Sequence, residues 1–94
     1  PAYVFLLAEA LAEAGIAAGL EPALAEQLAQ ATVSGAGALL DAETKPAGTL
    51  RENVTSPGGT TEAALQILMA DDGLPSLLTR AVEAATQRSK DLAG

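Results

Sequence analysis

The sequence contains no cysteine, no histidine and no tryptophan. Without cysteine there is no disulfide, no thiol nucleophile and no thiolate metal site. Without histidine the commonest general base and metal ligand is missing. Aromatic residues make up only 2%, and 5 cations face 12 acidic residues, for a net charge of −7. That balance argues against a nucleic-acid partner, which needs a basic face, and against docking on an anionic membrane. No apolar run is long enough to span a bilayer: the most apolar stretch, Ala2 to Ala18, is interrupted by Glu9 and Glu13. No signal peptide is visible, and the lack of disulfides and targeting segments fits the cytoplasm.

Valine and isoleucine are scarce and alanine is the commonest residue, which favours helices over strands. Ninety-four residues correspond to one domain. A chain this short buries a smaller share of its surface than a long one, so partners matter. The fold class expected is all-α: a compact bundle of four main helices plus one short helix.

The first helix is expected over Ala2–Ala18. Val4, Leu7, Ala8, Leu11, Ala14 and Ala18 form one stripe, taken as the inner face. Phe5, Leu6 and Ile16 lie on the other side, around Glu9 and Glu13. Two apolar sides call either for a second neighbour, such as another subunit, or for a few ordinary surface apolar residues. Glu9 and Glu13, one turn apart with no histidine nearby, read as a solvated face rather than a metal site. Gly19-Leu20-Glu21-Pro22 breaks the chain. The second helix is expected over Pro22–Ala42, with Leu24, Leu28, Ala31, Gly35 and Leu39 as its inner stripe. Gly35 and Gly37 have neither the strand nor the spacing of a dinucleotide-binding turn, and are assigned to close helix approach. A short helix is expected over Ala47–Asn53, with Arg51 and Glu52 solvated. A fourth main helix runs to Ala70 and ends at Asp71-Asp72-Gly73. The last runs over Pro75–Leu92, with Leu74, Leu77, Leu78, Ala81, Val82, Ala85 and Leu92 on one face that should be core.

Between the short helix and the fourth lies Asn53-Val54-Thr55-Ser56-Pro57-Gly58-Gly59-Thr60-Thr61. Ser56 is a suitable N-cap and Pro57 suits a first helical turn. Gly58 and Gly59 lack Cβ atoms, so another molecule can come close to the backbone. Free N–H groups at a helix start, with the positive end of the dipole, can receive a small carboxylate or phosphate. The same cluster is equally the mark of an ordinary capped helix start. Thr61 falls on the face of Leu65 and Leu68, so its hydroxyl is expected to point inward.

The run Leu50 to Leu65, centred on Thr55-Ser56-Pro57-Gly58-Gly59-Thr60-Thr61, resembles the signature segment of pyrroline-5-carboxylate reductase, the last enzyme of proline biosynthesis. Pro1-Ala2-Tyr3-Val4-Phe5 resembles the entry to that family's C-terminal helical domain, and Ala81 to Ser89 its last helix. Met69 departs from the family, which usually has a polar residue there; the position is helix surface. The resemblance implies an NAD(P)H-dependent reductase (NADP or NAD as the oxidised form) delivering hydride to the C=N bond of pyrroline-5-carboxylate. It implies an intertwined homodimer, with higher oligomers open, and a nucleotide held by a Rossmann domain that residues 1–94 do not include. It implies Ser56, Gly58, Gly59, Thr60 and Thr61 as substrate-binding residues, with Thr61 as the catalytic position contacting the ring nitrogen. No metal is implied, and no role is carried over to Glu43. Two other readings are an acidic helical interaction or dimerisation module without chemistry, and the helical domain of another dehydrogenase.

Overall fold

The computed structural model describes all residues, 1–94, and contains five helices and no strand: α1 (Ala2–Ala17), α2 (Pro22–Ala42), α3 (Ala47–Asn53), α4 (Thr60–Leu68) and α5 (Leu74–Ala93). They are divided between two compact units, Pro1–Leu50 and Arg51–Gly94, with the division falling inside α3.

In the first unit α1 and α2 form a helical hairpin, and its corner is tightly specified. Gly19, with φ of +110°, stands just past the end of α1. Its N–H donates to the Ile16 carbonyl and that of Leu20 donates to the Gly15 carbonyl, both at 3.0 Å. This crossed pair of bonds closes a helix on a left-handed residue. Glu21 then caps α2, its two carboxylate oxygens accepting from Ala23 N and Leu24 N at 3.2 Å each, with Pro22 in the first turn.

The seam between the two helices is made of small residues. Ala12, Ala25 and Ala29 are 8%, 2% and 6% exposed and are the only buried side chains in the chain. A Cβ on Gly15 would sit 3.2 Å from Leu20 Cδ1 and 3.4 Å from Ala25 Cβ, so α1 and α2 are in contact there. The stripes expected to face inward do not: Val4, Leu7, Leu11, Leu24, Leu28 and Leu39 are all exposed within the chain. Backbones approach more closely across alanine and glycine than across leucine, so the hairpin closes on its small-residue faces and turns the leucines outward. The close approach assigned to Gly35 and Gly37 occurs at Gly15 instead; nothing in the chain lies within 4 Å of a Cβ built at either of the former.

In the second unit, α4 ends at Leu68, with Met69 as its C-cap, rather than at Ala70, and a tight turn leads to Gly73, whose N–H donates to the Ala70 carbonyl at 2.8 Å. Gly73 is the N-cap of α5, which starts one residue before the expected Pro75. The α5 face expected to be core is exposed throughout: Val82 is 51% exposed, and neither α4 nor α5 has a buried residue. Periodicity identified an apolar face, but nothing in the chain buries it. No helix is long and apolar enough to cross a membrane.

Gly73 is required for steric reasons. A Cβ there would overlap the Leu68 carbonyl oxygen and lie 2.9 Å from that of Ala70. Gly73→Ala should therefore cost about 1–3 kcal/mol, the usual range for forced overpacking. Chemical denaturation checks this; an unchanged midpoint would show that the α4–α5 turn relaxes freely.

Candidate functional site

The segment from Arg51 to Thr61 is built by backbone bonds from the end of α3 to the start of α4. Thr55 is half-buried, and its Oγ1 donates to the Arg51 carbonyl at 2.6 Å. The Thr55 N–H donates to the Glu52 carbonyl at 3.1 Å and that of Val54 to the Arg51 carbonyl at 3.3 Å. These bonds fix the point from which the signature loop departs.

Ser56-Pro57-Gly58-Gly59 is a β-turn, closed by Gly59 N–H donating to the Ser56 carbonyl at 3.0 Å. Pro57 occupies its second position and Gly58, with φ of +72°, its third, the arrangement of a type II turn. This corrects the expected start of α4. Ser56 does not cap the helix and Pro57 is not in its first turn; Gly59 is the N-cap, and the helix begins at Thr60. Proline followed by glycine serves a type II turn as well as proline serves a helix start, and the positive φ open to Gly58 selects the turn. Gly59 also fits tightly: a Cβ there would lie 3.2 Å from the Ser56 carbonyl oxygen.

A glycine cap has no side chain, so nothing in the chain caps α4. The first helix-closing bond runs from Ala63 N–H to the Gly59 carbonyl at 3.2 Å. The N–H groups of Thr60, Thr61 and Glu62 are left without acceptors, at the positive end of the helix dipole. Among the backbone N–H groups of the glycine-rich stretch, that of Gly59 is engaged in the turn, whereas those of Gly58 and Thr60 remain free. Donors at Thr61 and Glu62 join them, a shift of the cluster toward the helix. Space above Gly58 is open, with nothing within 4 Å of a Cβ built there.

Thr61 is exposed within the chain, which corrects its expected inward orientation. The half-buried residues of α4 are Glu62 and Leu65, so the face α4 presents to its own unit is turned by about 100°, one residue's step, from Thr61. Several threonine hydroxyls bond back to a carbonyl one turn earlier, those of Thr32, Thr55 and Thr79. Those of Thr60 and Thr61 do not, and remain available to a ligand. Ser56, Gly58, Gly59, Thr60 and Thr61 thus lie on one continuous turn and helix start, exposed except at half-buried Gly59.

A groove of about 430 Å³ lies beside this loop, lined by Arg51, Thr55, Glu62, Leu65, Gln66 and Met69 among others. Arg51 pairs with Glu52 at 3.7 Å there. Sequence reasoning missed this groove and took Arg51 as merely solvated. The signal was present in the helical spacing of Glu62, Leu65, Gln66 and Met69. No group of three or more acidic side chains is placed to hold a metal ion.

Fold and loop together define an all-α domain with an open, uncapped helix start. The model of a family described as "Pyrroline-5-carboxylate reductase dimerisation" matches residues 1–92, and the chain belongs to that family. It is 46% identical over 94 residues to a pyrroline-5-carboxylate reductase of Pseudomonas aeruginosa, covering 99% of this chain and 34% of that protein. It is 46% identical over 92 residues to the Arabidopsis thaliana enzyme of the same name, covering 98% of this chain and 33% of the other. A solved structure of Plasmodium falciparum pyrroline carboxylate reductase with NADP bound superposes with a TM-score of 0.92 at 34% identity, over 100% of this chain and 36% of that one. The chain therefore spans about a third of the length of the relatives it matches.

The left-handed Gly58 gives a direct check on the turn. Gly58→Ala places a Cβ in a conformation that costs about 1–2 kcal/mol for an L-residue, so its melting temperature should fall although the space is open. A melting temperature at or above that of the parent would exclude the type II turn.

Proposed function

We propose that this chain is the substrate-binding and dimer-forming part of a pyrroline-5-carboxylate reductase, which reduces 1-pyrroline-5-carboxylate to proline with NAD(P)H. The observation that carries the reading is the uncapped start of α4, with its free N–H groups behind the Ser56–Gly59 turn. It lies within the family match over residues 1–92. The substrate is a small carboxylate, the kind of ligand such a helix start receives.

In this reading the N–H groups of Thr60, Thr61 and Glu62 hold the carboxylate, with the Ser56 hydroxyl as a further donor. Gly58 lets the substrate ring come close to the backbone. The Thr61 hydroxyl hydrogen-bonds the ring nitrogen. Threonine is a poor acid at neutral pH, so its role is orientation, and the proton on nitrogen comes from solvent or from an imine already protonated. Residues 1–94 do not fit the nucleotide: they hold no strand, and the pyrophosphate cradle of such enzymes is a strand, glycine turn and helix. The reducing cofactor is accordingly assigned to residues outside this stretch, which supplies binding and orientation. The reaction is placed in the cytoplasm, where a cysteine-free chain needs no oxidising compartment.

The dimer is supported by exposed apolar surface. Large apolar side chains stand exposed in both units, among them Phe5 at 69%, Leu6 at 64%, Ile67 at 76% and Leu92 at 70%. Obligate dimers cover such surface, burying about 2,000 Å² or more. A symmetric interface is the usual way to cover such surface. Phe5 is 69% exposed, so Phe5→Glu should weaken the dimer. Light scattering that finds a stable monomer of the parent chain at low micromolar concentration would remove the dimer from this reading.

Thr61→Ala decides between the reductase and an interaction module without chemistry. In the complete enzyme it should lower kcat/KM for pyrroline-5-carboxylate by roughly 10- to 150-fold, the equivalent of one hydrogen bond of about 1.5–3 kcal/mol to a charged group. Stability should hardly change, because the hydroxyl has no partner in the chain. Titration of a proline analogue should shift the amide signals from Gly58 to Glu62. Unaltered kinetics together with unmoved amide signals would leave the module reading.

A further inference from the structure

Three threonine hydroxyls donate to the carbonyl four residues back: Thr32 to Leu28, Thr55 to Arg51 and Thr79 to Pro75. Thr32 and Thr79 stand inside α2 and α5 and are exposed. Within a helix such a bond adds a second donor to a carbonyl the ladder already uses. Thr55 differs in both respects. It lies past the end of α3 at Asn53, and it is half-buried. Its bond, at 2.6 Å, joins a helix to the loop that leaves it.

Thr55 is the last residue that ties the signature turn to α3. Its N–H and its hydroxyl donate to consecutive carbonyls, those of Glu52 at 3.1 Å and Arg51 at 2.6 Å. Beyond it, the Gly59 N–H donates to the Ser56 carbonyl, a bond that ties the turn only to itself. Pro57 has no N–H to donate. Ser56 therefore takes its place from Thr55, one peptide bond away. The N–H groups of Thr60, Thr61 and Glu62 are placed independently, by α4. The Thr55 side chain also lines the groove shared with Leu65 and Met69 on the α4 side. One residue is thus bonded to α3 and set in the groove beside α4.

We infer that Thr55 is a positioning residue. Its hydroxyl, held by the Arg51 carbonyl, sets the Ser56–Gly59 turn relative to the start of α4, so that the Ser56 hydroxyl meets the same carboxylate as the helix N–H groups. The inference rests on the reductase reading and adds to it a residue that touches no substrate. Loss of the Thr55 hydroxyl leaves no carbonyl orphaned, because that of Arg51 still accepts from Val54 N–H at 3.3 Å. Substitution therefore acts on placement more than on the fold. The carboxylate does not react, so it is held alike before and during hydride transfer. Weakening that hold raises KM and leaves kcat.

The test is made in the complete enzyme at saturating NAD(P)H. Thr55→Val replaces the hydroxyl by a methyl group of similar size. It should raise KM for pyrroline-5-carboxylate, and the Kd of L-proline read by calorimetry, by roughly 3- to 10-fold, the equivalent of one neutral hydrogen bond. Its kcat should stay close to that of the parent. Thr55→Ser keeps the hydroxyl and should return both constants to near the parent values. A threonine that serves the fold alone would lower the melting temperature and leave KM and Kd unmoved. That result overturns the inference, as does a serine variant as impaired as the valine one. Where Thr55→Val does not fold, Thr55→Ala makes the same comparison; if neither folds, the hydroxyl serves the fold and the inference is overturned. A parent enzyme that neither reduces pyrroline-5-carboxylate nor binds L-proline overturns the reductase reading and this inference with it. A parent that does both, beside a Thr55→Val variant of unchanged KM, overturns the role of Thr55 alone.

Discussion

Close packing of α1 on α2 through alanine and glycine is the constraint from which the other features follow. Ala12, Ala25, Ala29 and Gly15 let the two backbones approach until no larger side chain fits between them. Every leucine, isoleucine and phenylalanine in the hairpin is therefore displaced to its outer surfaces. Three alanine methyls remove little apolar area from water, and at about 25 cal/mol per Å² they cannot offset the ordering of a hairpin this long. In the proposed dimer, covering what the seam turns outward would supply stability, folding and association would be parts of one equilibrium, and stability would depend on protein concentration.

The candidate site follows a similar logic at smaller scale. An N-cap serine or aspartate would satisfy one of the free N–H groups of α4 and weaken their pull on a ligand. Gly59 in that position leaves all three donors free, and Glu62 in the first turn partly balances the dipole. The cost of an uncapped start is met nearby: Thr55 anchors the loop to α3, and the Gly59 N–H closes the turn. Local rigidity is thus supplied by bonds that do not use the ligand-facing groups.

Sequence reasoning read the elements well because their boundaries are chemical. Pro22 and the break at Gly19 set the start of α2, and the bounds expected for α2 and α3 agree with the structure. It misplaced the faces. A hydrophobic stripe says that a surface will be covered and leaves open whether the cover is the same chain. The stripe through Leu24 and Leu28 points away from a seam that alanines occupy instead, and the stripe along α5 faces no core, because the second unit buries no side chain. The Ser56–Gly59 segment failed for another reason: proline and glycine fit both a first helical turn and a type II turn, and only the φ of Gly58 separates them. The identity of the loop was legible from its residue order, whereas its donor set, shifted toward Thr61 and Glu62, required the backbone.

Exposure of Thr61 follows from the same outward displacement. The second unit buries none of its side chains, so α4 has no interior toward which Thr61 could turn. In helical phase Thr61 lies between half-buried Leu65 and exposed Leu68, at the edge of the contact that α4 makes within its own unit. In the proposed dimer, covering that face would order the threonine hydroxyl and exclude water from the helix start together. The N–H donors would then act in a lower dielectric, where their hold on a carboxylate is stronger. Association and substrate binding would draw on one surface. In that dimer, a domain that cannot bury its own leucines would be suited to build a site at the edge of what it buries with another copy.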